Sequence, residues 1–442
     1  MTRGTGAAGA SPARAFLGTS LSSVAVALLT FVSGVLIARA LGPEARADYG
    51  TVLLIGQTVA TLGCLSFFDG AIVRLRAEPG LLGSALPSML FAGLAISGIS
   101  AGAAFVVLSL GGIGPEGMTP ARVLTIAALI ILDTMLWQCF SAAERSRMDF
   151  FLVNLSRVLS PAAFSLLVAV AWIVQGGDLS AWLVLLLFLL SRLPVLVVWS
   201  LRYARQIVGP LSWSFLCDTG RIGLKLHMAI AVGAIAGQLD RLIAIGAWPK
   251  ELLGQYFVAF SAVGAGYGVI TTAINTVLFP YLAGMAAAER QERVHLILRL
   301  TVLISGATVL AGLCILPFAI PLLYGADYLA ATPMAMGLLG ALAVVPIRAV
   351  VLEAGRSLGK GRPSVEMALV SIAVMMGLYG LTGFTTPTQL IVSLGLANLL
   401  SMLAGARHLV RDGVIRPGGH LLPGIADVRR LLSILKKRHE LH

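Results

Sequence analysis

Leu36-Ile-Ala-Arg-Ala-Leu-Gly-Pro43 closes the first long apolar run of the chain, and Glu44 and Tyr49 follow it. A similar stretch, Leu242-Ile-Ala-Ile-Gly-Ala-Trp-Pro249, closes a later run and is followed by Glu251 and Tyr256. The prolines at 43 and 249 lie 206 positions apart, and the tyrosines at 49 and 256 lie 207 apart. Ala143-Glu-Arg-Ser146 returns as Ala354-Gly-Arg-Ser357, at an offset of 211. Each match alone is weak, because alanine and leucine are common here. The shared offset marks an internal repeat.

Outward from this repeat, apolar runs fill the chain from Phe16 to about Val410. A bilayer span needs roughly 20 mostly apolar residues. Twelve candidates qualify, at roughly 16–39, 50–73, 85–111, 121–142, 151–174, 179–201, 222–246, 253–283, 295–322, 331–354, 365–384 and 388–409. The first is too long for a signal-peptide core and has no convincing cleavage site. The repeat offset lays span one on span seven and span four on span ten, so each repeat holds six helices. An even-numbered repeat re-enters the membrane in the same direction, which relates the halves by an axis along the membrane normal. The expected fold is an all-α polytopic membrane protein with two six-helix lobes, residues 16–210 and 211–410. A short tail (1–15) precedes the lobes, a basic region (411–442) follows them, and a cavity is expected between them. Pro161, Pro194, Pro280, Pro317 and Pro346 fall inside apolar runs, where each marks a candidate kink.

Composition agrees. Of 442 residues, 58% are hydrophobic and 12% charged, against about 25% charged in a soluble domain. The mean hydropathy is +0.92. These values exclude a soluble enzyme, a secreted disulfide scaffold and a disordered chain. The runs are continuously apolar rather than alternating, which argues against an outer-membrane barrel. Cys64, Cys139, Cys217 and Cys314 are far apart and show no metal-ligand spacing; they read as small buried hydrophobes. No Walker loop, HExxH or GxSxG motif occurs. Neither enzyme activity, cofactor nor metal is expected.

The net charge of +12 is explained by topology. With the N-terminus cytoplasmic, the inner segments collect Arg74 and Arg76, Arg145 and Arg147, Arg202 and Arg205, Arg290 and Arg293, Arg356 and Arg362, and the basic C-terminal region. The outer segments hold only Arg39, Arg46, Arg122 and Lys250. This is a positive-inside pattern. It predicts two cytoplasmic termini and no nucleic-acid surface. Between Pro423 and His442, Ile425, Val428, Leu432 and Leu435 recur at helical spacing among Arg429, Arg430, Lys436 and Lys437. That segment suits a helix on the anionic inner leaflet, or a solvated basic tail.

Charges within spans are costly, on the order of 2.5–3.5 kcal/mol each. Asp133 and Arg192 fall near the middles of spans four and six, and Arg348 follows Pro346 in span ten. Asp240 and Arg241 lie near the outer end of span seven, Asp69 near the inner end of span two, and Arg157 and Arg299 near inner ends of spans five and nine. Arg192, Arg348 and Arg241 are the candidate anion binders, since guanidinium forks match phosphate oxygens. Asp133, Asp240 and Asp69 are the candidates for proton or ion coupling. The alternatives are interhelical pairing for the deep charges and snorkelling for Arg157 and Arg299. His227 reads as a hydrogen-bonded core histidine or a titrating group.

The segment Ala38-Arg-Ala-Leu-Gly-Pro-Glu44 with Tyr49-Gly50 resembles the first loop of Wzx-type polysaccharide flippases. Asp69-Gly70 with Arg74 is similar to the end of their second span. Asp240-Arg-Leu-Ile243, Gly254-Gln-Tyr256 and Phe279-Pro280 resemble their seventh and eighth spans, and Leu323-Tyr-Gly-Ala-Asp-Tyr328 their loop after span nine. The resemblance covers about 16–410. It implies membership of the multidrug/oligosaccharidyl-lipid/polysaccharide exporter superfamily, with two lobes in a MATE-like V. It also implies flipping of a polyprenyl-diphosphate-linked oligosaccharide across a bacterial inner membrane, for O-antigen, capsule or exopolysaccharide synthesis. The implied partners are membrane lipids, a polysaccharide polymerase and glycosyltransferases, and the implied state is a monomer. A cation-coupled multidrug or metabolite antiporter of the same superfamily is the alternative.

Overall fold

The computed structural model describes residues 12–110, 119–359 and 361–416, and all regular structure among them is helical. The segment expected to lie on the inner leaflet, from Pro423 onward, is outside the described residues.

Among the described residues ten helices are each long and apolar enough to cross a bilayer. An eleventh crossing is a bent pair, Trp213–Ala236 and Leu239–Ala247, with 51° between its parts. The twelfth is folded into the first helix. Pro12–Gly63 runs for 52 residues; a straight helix of that length would reach about 78 Å, against a hydrocarbon core of about 30 Å. Gly42 interrupts it at φ 69°, ψ 175°, a conformation glycine adopts without a Cβ penalty. Pro43 follows, its fixed φ suited to the first position of a new helix. Val26 and Gln57, on opposite sides of this break, line one cavity of about 570 Å³. Along a straight helix they would stand about 46 Å apart. The chain therefore reverses at Gly42, inside the repeated motif, and twelve crossings result.

Four crossings are broken. Span two stops at Gly63 and resumes as Phe67–Ala77, with Leu65 and Ser66 at positive φ between. Span six is Ala181–Leu190 then Leu193–Arg202; span seven is the bent pair; span ten is Ala331–Leu342 then Val345–Arg356. Pro194 and Pro346 each begin a second half-helix, as expected of a residue lacking the amide donor. Pro161, Pro280 and Pro317 sit in helices that continue through them, Phe151–Gln175, Lys250–Leu282 and Ala287–Tyr324. The other spans are Leu82–Leu110, Pro120–Ser146, Arg362–Thr382 and Pro387–Arg411. Thr386 starts the last with a capping box to Gln389.

Apolar packing divides between the halves. One cluster of the first half gathers around Met89, Met135, Phe140 and Trp199, another around Tyr49, Ile130, Phe164 and Val184. The second half packs around Tyr256, Leu338, Phe384 and Leu390, and around Leu278, Val294, Met367 and Leu409. Ala38, Ala47 and Leu54 of the first hairpin join the second-half core. There Gly254 approaches so closely that a methyl group on it would overlap the Pro43 carbonyl, and a methyl on Gly50 would meet the Phe257 ring. At the other end, Gly70 lies against the Thr219 carbonyl and Gly223 against the Ser66 carbonyl. Span two thus touches span eight at one end and span seven at the other, and the 570 Å³ cavity lies along it.

Candidate functional site: a cationic cavity between the halves

The cavity is lined from both halves. Spans one, two and four contribute Ser33, Arg46, Tyr49, Gln57 and Trp137; spans five and six contribute Arg157, Phe164, Phe188 and Arg192; spans seven and eight contribute Arg241, Phe257 and Phe260. Among the described residues four arginines line it, and no carboxylate does.

The breaks in the helices place two of these arginines. Arg192 stands between Leu190 and Leu193, at the start of a half-helix. Its guanidinium lies 5.1 Å from the Phe188 ring centre, and its Nε is 3.4 Å from Oδ2 of Asp133. Arg241 lies in the first turns of Leu239–Ala247, 4.3 Å over Phe260. Its Nη2 donates to the Gly237 carbonyl at 2.7 Å. Helix N-termini carry partial positive charge, so both breaks add to the field of the side chains. Arg46 follows Pro43 by one turn, is 9% exposed, and sits 5.4 Å over Tyr49 and 6.0 Å over Phe257. Arg157 Nη2 donates to Ser23 Oγ at 3.5 Å. Stacking on a ring holds a guanidinium by its face and leaves its edge donors for an anion. The walls therefore combine four guanidinium groups with aromatic rings.

Two of the expected anion binders, Arg192 and Arg241, reach this cavity. Asp133 and Asp240 stand directly behind them. Asp240 is 2% exposed, accepts a hydrogen bond from Tyr256 Oη at 2.7 Å, and has Oδ1 3.7 Å from Arg241 Nε. Arg348 is not brought here; its Nη1 donates to Ser401 Oγ at 3.4 Å, within the second half. Asp69 is half-buried in the first turn of Phe67–Ala77, outside the lining. Arg157 points into the cavity, whereas Arg299 is not among its walls. His227 Nδ1 lies 3.3 Å from Ser66 Oγ, where spans seven and two meet. Sequence reading missed Arg46, placed in an outer loop, and the aromatic lining. Its position one turn after Pro43 was the available signal, because proline at a helix start puts the following residues inside the helix. Among the described residues no group of three His, Cys, Asp or Glu side chains is placed to hold a metal.

The hairpin at Gly42 is tied to the second half. Arg39 donates to the Leu323 and Leu322 carbonyls at 2.6 and 2.5 Å, at the C-terminal end of Ala287–Tyr324, where arginine satisfies orphan acceptors. Tyr328 Oη donates to the Ala38 carbonyl at 3.1 Å. Lys250 Nζ lies 3.1 Å from Asp48 Oδ1. At the opposite end, Arg74 approaches Asp218 at 3.9 Å.

Broken helices around a cavity between two repeats are the architecture that solved membrane-protein structures share with this chain. Similar solved structures agree. The lipid II flippase MurJ in an inward closed conformation superposes with a TM-score of 0.70, at 13% identity, over 90% of this chain and 87% of that one. An inward-facing multidrug resistance MATE family transporter of the MOP superfamily gives 0.64, at 16% identity, over 89% and 98%. A MOP superfamily transporter from Pyrococcus furiosus, described for the reverse polarity of its binding pocket, gives 0.52, at 18% identity, over 92% and 96%. Residues 115–333 match the family model described as "Polysaccharide biosynthesis protein". The chain is thus a multi-pass membrane protein with the MurJ/MATE fold, and residues 115–333 are similar to the polysaccharide biosynthesis family. No curated protein matches the chain by sequence.

Proposed function

We propose that this protein flips a polyprenyl-diphosphate-linked oligosaccharide from the cytoplasmic to the outer leaflet of a bacterial inner membrane, supplying O-antigen, capsule or exopolysaccharide assembly. One observation carries the reading: among the described residues the cavity between the halves is walled by Arg46, Arg157, Arg192 and Arg241 and by no carboxylate. A sugar diphosphate is an anion with an apolar tail, and forked donors bind its oxygens bidentately. The family match over 115–333 supports the same substrate class.

In this reading the two lobes, residues 16–210 and 211–410, rock against each other. The diphosphate-sugar crosses the cavity while the polyprenyl tail stays in lipid. Both termini face the cytoplasm, so the Gly42 hairpin and its ties to Leu322, Leu323 and Lys250 form the outer gate. Asp133 and Asp240, each behind a cavity arginine, are placed to exchange with the substrate anion and couple transport to a proton or cation. Asp69, in the first turn of Phe67–Ala77, is a third coupling candidate. Arg348 acts by joining helices rather than by touching substrate. The protein works as a monomer amid membrane lipids, with glycosyltransferases upstream and a polymerase downstream; it performs no catalysis itself.

Loss of the gene is expected to abolish surface polysaccharide and to build up the lipid-linked oligosaccharide inside the cell, with drug susceptibility unchanged. Normal polysaccharide with altered drug susceptibility would instead favour a cation-coupled antiporter, which the MATE likeness keeps as the second reading. The basic lining disfavours cationic drugs. Arg348→Ala removes one long hydrogen bond, worth about 1 kcal/mol. It is expected to lower the melting temperature slightly and leave export near normal in a polysaccharide immunoblot.

A further inference from the structure

A separate cavity of about 520 Å³ lies at the end of the first half opposite the Gly42 hairpin. Its walls join the turn between spans two and three (Leu75, Pro79, Leu82), the turn between spans four and five (Ser146, Arg147, Met148) and Gln206. Arg76 reaches the same rim, with Nη2 2.9 Å from Met148 Sδ.

The nearby carboxylates are already matched. Glu144, fully buried, lies 3.1 Å from Arg202; Asp149 lies 2.8 Å from the same arginine; Glu78 pairs with Arg74. Among the described residues Arg76 and Arg147 form no salt bridge, and both are exposed. Gln206 Oε1 is shielded from solvent and has no donor, which is costly unless a ligand supplies one. Met148, in the wall, is 57% exposed, and Phe151 and Val208, three residues after Met148 and two after Gln206, are 70% and 84% exposed. In a membrane protein such side chains meet acyl chains. A fitting ligand must therefore carry an anion, a hydroxyl donor and an apolar anchor together.

We propose that this cavity binds the headgroup of an anionic glycerophospholipid, with its phosphate on Arg76 and Arg147 and a glycerol hydroxyl donating to Gln206 Oε1. Basic pockets between helix ends at the membrane surface are suited to such headgroups. Free phosphate offers the same oxygens but would leave the apolar rim uncovered. The bound lipid bridges the ends of spans two, four and six. This inference does not depend on what crosses the central cavity.

The test is the melting temperature of the full chain in nanodiscs of phosphatidylcholine, with and without phosphatidylglycerol. Phosphatidylglycerol is expected to raise the wild-type value on the order of 3 °C. The double variant Arg76→Ala/Arg147→Ala and the single variant Gln206→Leu should each lose most of that rise. Arg293→Ala, an exposed arginine of the second half, should keep it. Melting in phosphatidylcholine alone checks that every variant folds. An equal rise in wild type and double variant would overturn the site. So would a rise with inorganic phosphate that matches phosphatidylglycerol, since it would assign a free anion. Absence of any wild-type rise would also overturn it.

Discussion

Arg192→Ala is expected to cut surface polysaccharide at least tenfold while membrane protein level is restored by a second change. Arg192 sits at the break in span six and lines the cavity, with its Nε 3.4 Å from Asp133. Truncating one partner of a hydrogen-bonded charge contact costs about 2–5 kcal/mol, and each 1.4 kcal/mol is roughly tenfold. The single variant also strands Asp133, whose side chain is 8% exposed, and an uncompensated buried charge destabilises by about 3–5 kcal/mol. Folding and transport must therefore be separated. Asp133→Asn/Arg192→Ala removes the stranded charge and should recover protein level but not polysaccharide. Arg192→Lys keeps the charge and loses the fork, so it should fall between wild type and alanine. Immunoblots of polysaccharide and of protein in the same cells give both readouts. Full export by the double variant would remove Arg192 from the transport path.

Gly254→Ala is the second large expected effect, and it acts on the gate. A methyl group there would overlap the backbone carbonyl of Pro43, which belongs to the opposite half and cannot rotate away as a side chain could. Overpacking costs about 1–3 kcal/mol, enough to shift a two-state equilibrium roughly 5- to 150-fold. The shift should favour the state in which the halves part at the Gly42 hairpin. Leu53 lines the cavity. In a background without the exposed Cys217 and Cys314, Leu53→Cys should be labelled by an impermeant maleimide from outside at least about 5-fold faster when Gly254→Ala is present. Export should fall in parallel. Unchanged labelling with normal export would contradict the gate assignment.

The fold was legible because membrane spans are written in composition. Long apolar runs and a repeat offset sufficed for twelve helices, and the Gly42-Pro43 turn lay inside the quoted motif. Prolines were a poorer guide to breaks. Pro194 and Pro346 coincide with breaks, but Pro161 and Pro317 do not, because a neighbouring helix or a tilt can absorb a missing donor. The break in span seven carries Gly237-Gln238 and no proline.

The site was legible only in part. Arg192 and Arg241 stood out because a charge in an apolar run is rare. Arg46 did not, since it follows a loop motif and only the hairpin fold turns it inward. Arg348 looked equivalent to Arg192 by depth, yet depth gives no azimuth, and its helix directs it to Ser401. The aromatic walls were invisible for the same reason: each ring is ordinary within its own span, and the cavity exists only where seven spans converge.

The central claim is that the anionic head of the substrate crosses the cavity walled by Arg46, Arg157, Arg192 and Arg241. The direct measurement is flipping in proteoliposomes, using a fluorescent polyprenyl-diphosphate sugar whose outer-leaflet pool is read by an impermeant quencher. Wild-type protein should move the probe across the bilayer, and Asp133→Asn/Arg192→Ala protein, reconstituted to the same density, should move it at least about tenfold more slowly. Equal rates for the two proteins, or no movement above protein-free liposomes by wild type, would contradict it.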